Sequence, residues 1–288
     1  MPARLEPPPK SPSCHHRAVA HRDVRLHGWR KAALAVWSAP RDPQMYGDIE
    51  VDASAIVAFI EQVRRQSDVH VTPLHVIGKA IAHALAENSD LNVTPHGARL
   101  VHHDRVDVSF IVAFNEGADQ ATVTIEDAAG KSVVEIAREL AERAGRIRSG
   151  SRPDLARTRR MLDLAPVWLI RPLLRLAVWL TVSLRVDLGR FGLRPGLFGS
   201  ALVTSLGGMG IDHAYPLISP LHRVPFTFSV GRVQDRPAAE NGEVRVKPIV
   251  TISAAMDHRY VDGSHAARLA RSVREYCADP HAFEPSIA

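Results

Sequence analysis

The chain has 288 residues, 45% of them hydrophobic and 23% charged, with a formal net charge of +5. That balance excludes a disordered or fibrous polypeptide and leaves room for one large domain or two small ones. The arginines are spread through helical stretches among Glu and Asp, without interleaved aromatics, so the basic excess argues for a solvated surface and against a nucleic-acid partner. A basic surface also suits an anionic, phosphate-bearing ligand.

Residues 1–20 hold Pro7-Pro8-Pro9 and a Ser-Pro-Ser run and read as a mobile N-terminal arm. The first residues are Pro-rich and polar instead of an apolar secretory core, so the protein is expected to stay in the cytoplasm. Cys14 and Cys277 lie near opposite ends and form no metal-type cluster. Residues 29–37 give a short apolar helix. Residues 45–52 alternate as a strand, and Asp52 can cap a helix with the stripe Ile56, Phe59, Ile60 and Val63. Thr72 caps the next helix with Pro73 in its first turn, and Leu74, Ile77, Ile81 and Leu85 share one face.

Residues 105–114 and 121–125 predict a hairpin across an Asn-Glu-Gly turn. Ser132 and Glu135 form a capping box that opens a helix to about Arg148, and residues 150–153 break it. Residues 165–188 are rich in Leu, Val and Trp but interrupted by Arg171, Pro172 and Arg175. A bilayer span needs about 20 nearly unbroken apolar residues, and each central charge costs about 2.5–3.5 kcal/mol. A helix buried in a subunit contact fits better, with a membrane-surface helix as the second reading. Strands follow at 201–205 and 225–230. After a polar stretch, an Asn241-Gly242 turn leads into a long strand at 244–255, and a last helix spans about 264–277.

Between that strand and that helix stands His258-Arg259-Tyr260-Val261-Asp262-Gly263. A histidine where a strand ends can face a cleft, and its ordinary pKa suits proton transfer near neutral pH. Asp262 can fold back and hold the loop, and Gly263 would permit a positive φ. Alone, a His-x-x-x-Asp-Gly match among 15 histidines carries little weight. The other histidines are assigned no chemistry. His15 and His16 lie in the arm, His102 and His103 sit at a strand start facing opposite ways, and His265 belongs to a helix surface.

The loop gains weight from two further blocks. Ser253-Ala-Ala-Met-Asp-His-Arg-Tyr-Val-Asp-Gly263 is preceded by Val203-Thr-Ser-Leu-Gly207 with Gly210-Ile211-Asp212 and Pro216-Leu-Ile-Ser-Pro220. Earlier still come Thr72-Pro73 and Ser89-Asp-Leu-Asn92. Together these resemble the catalytic domain of the dihydrolipoamide acyltransferases of 2-oxoacid dehydrogenase complexes and, more distantly, chloramphenicol acetyltransferase. The resemblance covers roughly residues 22–150 and 197–280. It implies an α/β fold of the chloramphenicol acetyltransferase-like type, a two-layer mixed β-sheet with helices, and a trimer with active sites between subunits. Residues 21–288 would form one catalytic domain with an apolar insertion at about 151–196.

The resemblance further implies that His258 is the general base that deprotonates the thiol of CoA or of a dihydrolipoyl group. Thr204 would donate to the tetrahedral oxyanion, with Ser205 on the opposite face of its strand. Asp262 would maintain the loop, paired with an N-terminal arginine for which Arg30 is the candidate. Coenzyme A is the expected cosubstrate. The chain shows no lipoylation turn, so a lipoyl group would come from a separate lipoyl-carrying protein. Residues 115–120 depart from the family's usual strand entry, and the acyl and acceptor identities stay open. Two alternatives remain beside this one: a non-catalytic trimeric scaffold, and an acyltransferase acting on a hydroxyl or amine.

Overall fold

A computed structural model describes residues 43–96, 99–114, 119–149, 172–173, 176–177, 179–183, 186, 198–218, 224–259 and 261–285. The proposed arm, Arg30, the helix at 29–37 and most of the apolar insertion lie outside these residues. The described strands are β1 (Gln44–Asp52), β2 (Val93–His96), β3 (Arg99–His102), β4 (Val108–Phe114), β5 (Asp119–Ile125), β6 (Ala201–Ser205), β7 (Phe226–Val230), β8 (Gln234–Glu240) and β9 (Glu243–Asp257). The longer helices are α1 (Ser54–Gln66), α2 (Pro73–Glu87), α3 (Val133–Arg148) and α4 (Gly263–Ala278).

Seven strands form one mixed sheet in the order β1-β9-β7-β6-β4-β5, with β8 paired to β9; β2 and β3 form a separate ribbon. β6 runs parallel to both β4 and β7, while β9 is antiparallel to β1 and β7. Side chains alternate across a strand, so register fixes what each face carries. One face presents Phe110, Val203, Phe228, Ile252 and Met256 to the helices, in one core with Ile56, Phe59, Ile77, Ile81, Ile136, Leu269 and Val273. The helices and this sheet face make the two layers expected of the sequence.

The opposite face is rich in hydroxyls. Ser109 stands across from Thr124 with their oxygens 2.8 Å apart. Thr204, Ser229 and Ser253 form a second hydroxyl row on that face, across β6, β7 and β9. Ser109, Ser229 and Ser253 are buried there. The loop after β6 covers part of this row, since the Ser229 hydroxyl donates to the carbonyl of Ala214.

Several local readings hold with shifts of a residue. The stripe Ile56, Phe59, Ile60 and Val63 is buried on α1. Its N-cap by backbone angle is Ala53, however, and the Asp52 carboxylate accepts from the Ser54 N–H at 2.9 Å. Ser132 and Glu135 make the expected capping box. On α2 the residue that completes the box with Thr72 is His75, whose Nδ1 accepts from the Thr72 N–H at 3.0 Å. Burial pushes the His75 pKa down to about 4, which keeps the ring neutral and able to accept.

Three readings need correction. His102 ends β3 instead of starting a strand. Gly263 does not adopt a positive φ; it is the first residue of α4 in ordinary helical backbone. The polar stretch before Asn241 is a strand, β8, which pairs with β9 through a turn with φ of 52° at Asn241 and 84° at Gly242. Both angles being positive identifies the tight hairpin turn that Asn-Gly favours. Among the described residues no helix is long and apolar enough to cross a membrane.

Gly231 follows β7 where the chain passes under the loop that follows β6. A Cβ at this position would lie 1.7 Å from the Asp212 carbonyl oxygen, so backbone would have to move. Gly231→Ala should therefore destabilise the protein by about 1–3 kcal/mol. Urea unfolding measures this, and an unchanged midpoint would contradict the packing described.

Candidate active site

β9 carries His258 to the end of the sheet. Its last residue, Asp257, is held on one side by β1 through the Gln44↔Asp257 pair and on the other by an N–H bond to the Pro225 carbonyl at 3.1 Å. His258 follows at once, with its N–H donating to the Pro43 carbonyl at 2.8 Å and its side chain exposed. The turn closes through the Val261 N–H, which donates to the Asp257 carbonyl at 3.0 Å.

Sequence reasoning passed over the residues that grip this turn. Asp257 is buried, and its carboxylate accepts from Arg259 through Nε at 2.8 and 3.1 Å, from the second guanidinium nitrogen and from the Arg259 N–H. A charge-assisted, forked pair of this kind fixes geometry as well as adding attraction. The residues on either side of His258 are thereby locked to each other. The signal was present as an acid and an arginine flanking the histidine, two positions apart.

Asp262 caps α4. Its carboxylate accepts from the Ser264 N–H at 2.9 Å, the Ser264 hydroxyl at 2.7 Å and the His265 N–H at 3.1 Å. The Ser264 and His265 bonds hold its pKa down to about 2. His265 completes the cap, its Nδ1 accepting from the Asp262 N–H at 3.2 Å. A carboxylate with these bonds is occupied in shaping the loop.

Thr204 lies half-buried near the far end of β6, on the hydroxyl face, between Ile111 of β4 and Ser229 of β7. Ser205 points to the helical face by alternation. Beyond it the chain makes a turn at Gly207–Met209, leaves through Gly210 at a φ of 75° and folds back, the Arg232 N–H donating to the Ile211 carbonyl at 3.1 Å.

The register places these two residues at opposite ends of the sheet. Thr204 aligns with Ser229, and Ser229 with Ser253. His258 lies beyond Ser253 in the direction in which β6 and β7 begin, whereas Thr204 is near their ends. At about 3.3 Å per residue and 4.8 Å per strand, their backbones are about 20 Å apart within one chain. One chain does not bring the pair onto a common reacting atom. An apolar cavity of about 230 Å³ lies between α4 and the helical face, lined by Ile49, Phe228, Ile252, Met256, Leu269 and Val273 among others. Neither Thr204 nor His258 lines it. Among the described residues no group of three or more His, Cys, Asp or Glu is arranged to hold a metal.

Comparison with known proteins matches residues 19–154 and 198–283 to the family model of the 2-oxoacid dehydrogenases acyltransferase (catalytic domain). A probable dihydrolipoyllysine-residue succinyltransferase component of the 2-oxoglutarate dehydrogenase complex of Schizosaccharomyces pombe is 26% identical over 80% of this chain and 43% of its own length. The dihydrolipoyllysine-residue acetyltransferase component of the acetoin cleaving system of Bacillus subtilis is 22% identical over 91% of this chain and 56% of its own. The chain thus spans about half the length of these curated relatives. A probable dihydrolipoamide acetyltransferase from Listeria monocytogenes shares the fold with a TM-score of 0.62 at 22% identity, over 90% of this chain and 95% of that one. The cubic core of the pyruvate dehydrogenase multienzyme complex does so with a TM-score of 0.61 at 18% identity, over 96% and 99%. With the strand, turn and helix around His258 falling inside the second matched segment, the chain belongs to the 2-oxoacid dehydrogenase acyltransferase family, in its catalytic domain.

Proposed function

We propose that this chain transfers an acyl group between coenzyme A and a thiol acceptor of the dihydrolipoyl type, in a site assembled from two chains. The observation that carries this is the placement of His258 and Thr204 at opposite ends of one sheet. Each is positioned by firm local structure, and the two become partners when the His258 end of one chain meets the Thr204 end of the next. A closed trimer satisfies this three times over with one repeated head-to-tail contact.

His258 takes the proton from the acceptor thiol, and the thiolate attacks the thioester carbonyl. Charge then gathers on the carbonyl oxygen. The Thr204 hydroxyl of the neighbouring chain donates to it, a role for which single donors elsewhere contribute about 2.7–4 kcal/mol. The tetrahedral intermediate collapses, its carbon–sulfur bond to the departing thiol breaks, and that thiolate recovers the proton from His258. Asp257 with Arg259, and Asp262 at the cap, hold the loop and take no proton. The acetyl and succinyl transferases among the relatives support a small acyl group. We assign the reaction to the cytoplasm because its thiols must stay reduced. A hydroxyl or amine acceptor would call on the same base, and screening acceptors against one acyl-CoA separates the cases.

His258→Ala should lower thiol-dependent acyl transfer by about 10²–10⁴-fold with an unchanged thermal melt. Normal turnover in that variant would refute the base assignment, whereas a parent without turnover would leave the scaffold reading standing. Thr204→Ala should lower kcat by about 10²–10³-fold with little change in KM. A loss confined to KM would make Thr204 a substrate-positioning group. Asp262→Ala should lower Tm, since it removes the cap. The Asp262 pKa is lowered from 3.8 to about 2 on folding, so its stabilisation is present above pH 4 and lost as pH falls towards 2. The Tm gap between the variant and the parent should accordingly close over that window, and a gap independent of pH would contradict the capping role.

A further inference from the structure

Polarity is reversed in the apolar stretch that precedes β6. Residues 172–173 and 176–177 are helical, and Trp179–Ser183 form a wider, π-type turn. Leu173, Leu176 and Trp179 are exposed by 53%, 51% and 48%. They follow one another at intervals of three, the spacing that stacks side chains along one side of a helix. Thr181, by contrast, is buried, its hydroxyl donating to the Ala177 carbonyl at 2.9 Å. A surface helix of a soluble domain ordinarily turns its leucines inward and its polar residues out. Scattered exposed apolar residues need no account, but a succession of large ones along one side marks a contact surface.

The sequence around this side supplies its charge. Residues 165–186 contain Arg171, Arg175 and Arg185 and no Asp or Glu, and they include Trp168 and Trp179. A second copy of the chain would bring the same arginines, so a self-contact here would set like charge against like charge. Leucine and tryptophan suit the boundary between headgroups and acyl chains, and arginine suits the phosphates above it. Arg171, Pro172 and Arg175 interrupt the run, so it fits the plane of a bilayer surface and not a crossing.

We infer that the side formed by Leu173, Leu176 and Trp179 seats on an anionic lipid surface, with the arginines of the same stretch meeting the headgroup phosphates. The contact is peripheral, and it stands apart from the acyl-transfer reading because none of these residues belongs to the proposed site.

The test floats the full chain with vesicles of phosphatidylcholine alone or mixed equally with phosphatidylglycerol. The parent should float with the mixed vesicles at low salt and be released as salt rises, since exposed charges are then screened. Arg171→Gln/Arg175→Gln/Arg185→Gln should weaken that binding by about 10²-fold, each arginine contributing about fivefold. Leu176→Glu/Trp179→Glu should abolish flotation. Both of its positions are exposed, so far-UV circular dichroism should remain that of a folded protein. A parent that does not float, or that floats equally with both kinds of vesicle, overturns the proposal, and this comparison needs no variant to fold. A Leu176→Glu/Trp179→Glu variant that floats like the parent also overturns it. If that variant in addition sediments as a smaller species than the parent, the surface is a contact between chains.

Discussion

The antiparallel pairing of β9 with β7, in the register Ser229↔Ser253, is the constraint on which the rest depends. It sets which face of the longest strand meets the helices and which joins the hydroxyl row. It also decides where β9 delivers its last residue. Because β6 and β7 run the other way, the histidine that leaves β9 emerges where those strands begin, and the threonine of β6 sits where they finish. A shift of one residue would turn the apolar row of Ile252, Ala254 and Met256 away from the core, so burial enforces the register. The core of the domain thereby sets His258 and Thr204 at opposite ends of the sheet, the arrangement on which the proposed two-chain site rests.

The two ends are built differently. At the His258 end a buried acid, a forked arginine and a helix cap hold a short turn, leaving the imidazole exposed. At the Thr204 end the hydroxyl belongs to a strand between two others, and the loop beyond it folds back over a glycine that admits no side chain. Rigid support at both ends suits chemistry that depends on placing a base and a hydrogen-bond donor accurately against one carbonyl.

Much of this was legible in the sequence wherever burial dictates a pattern. β1, β6 and the stripe of α1 declare themselves by alternation or by a helical period, and Ser132 with Glu135 marks the start of α3. β8 gave no such sign, because its charged face pairs within the chain and its apolar face is outward, so neither period appears. Gly263 was read for a turn it does not make. The loop's shape is instead set by Asp262, whose carboxylate takes the N–H groups at the start of α4. The Asp257–Arg259 pair was in view but meaningful only once Asp257 was seen to be buried. The separation of Thr204 from His258 was beyond reach of local pattern, since it follows from pairing between strands distant in sequence.

The central claim is that each site draws His258 from one chain and Thr204 from another. It is tested most directly by co-assembling His258→Ala chains with Thr204→Ala chains in equal amounts and assaying acyl transfer from acetyl-CoA to dihydrolipoamide. Random assembly with a repeated head-to-tail contact pairs an intact histidine with an intact threonine in about a quarter of the sites. Activity should return to about that fraction of the parent's, although neither variant is active alone. Mixed assemblies that remain as inactive as the separate variants would contradict the account.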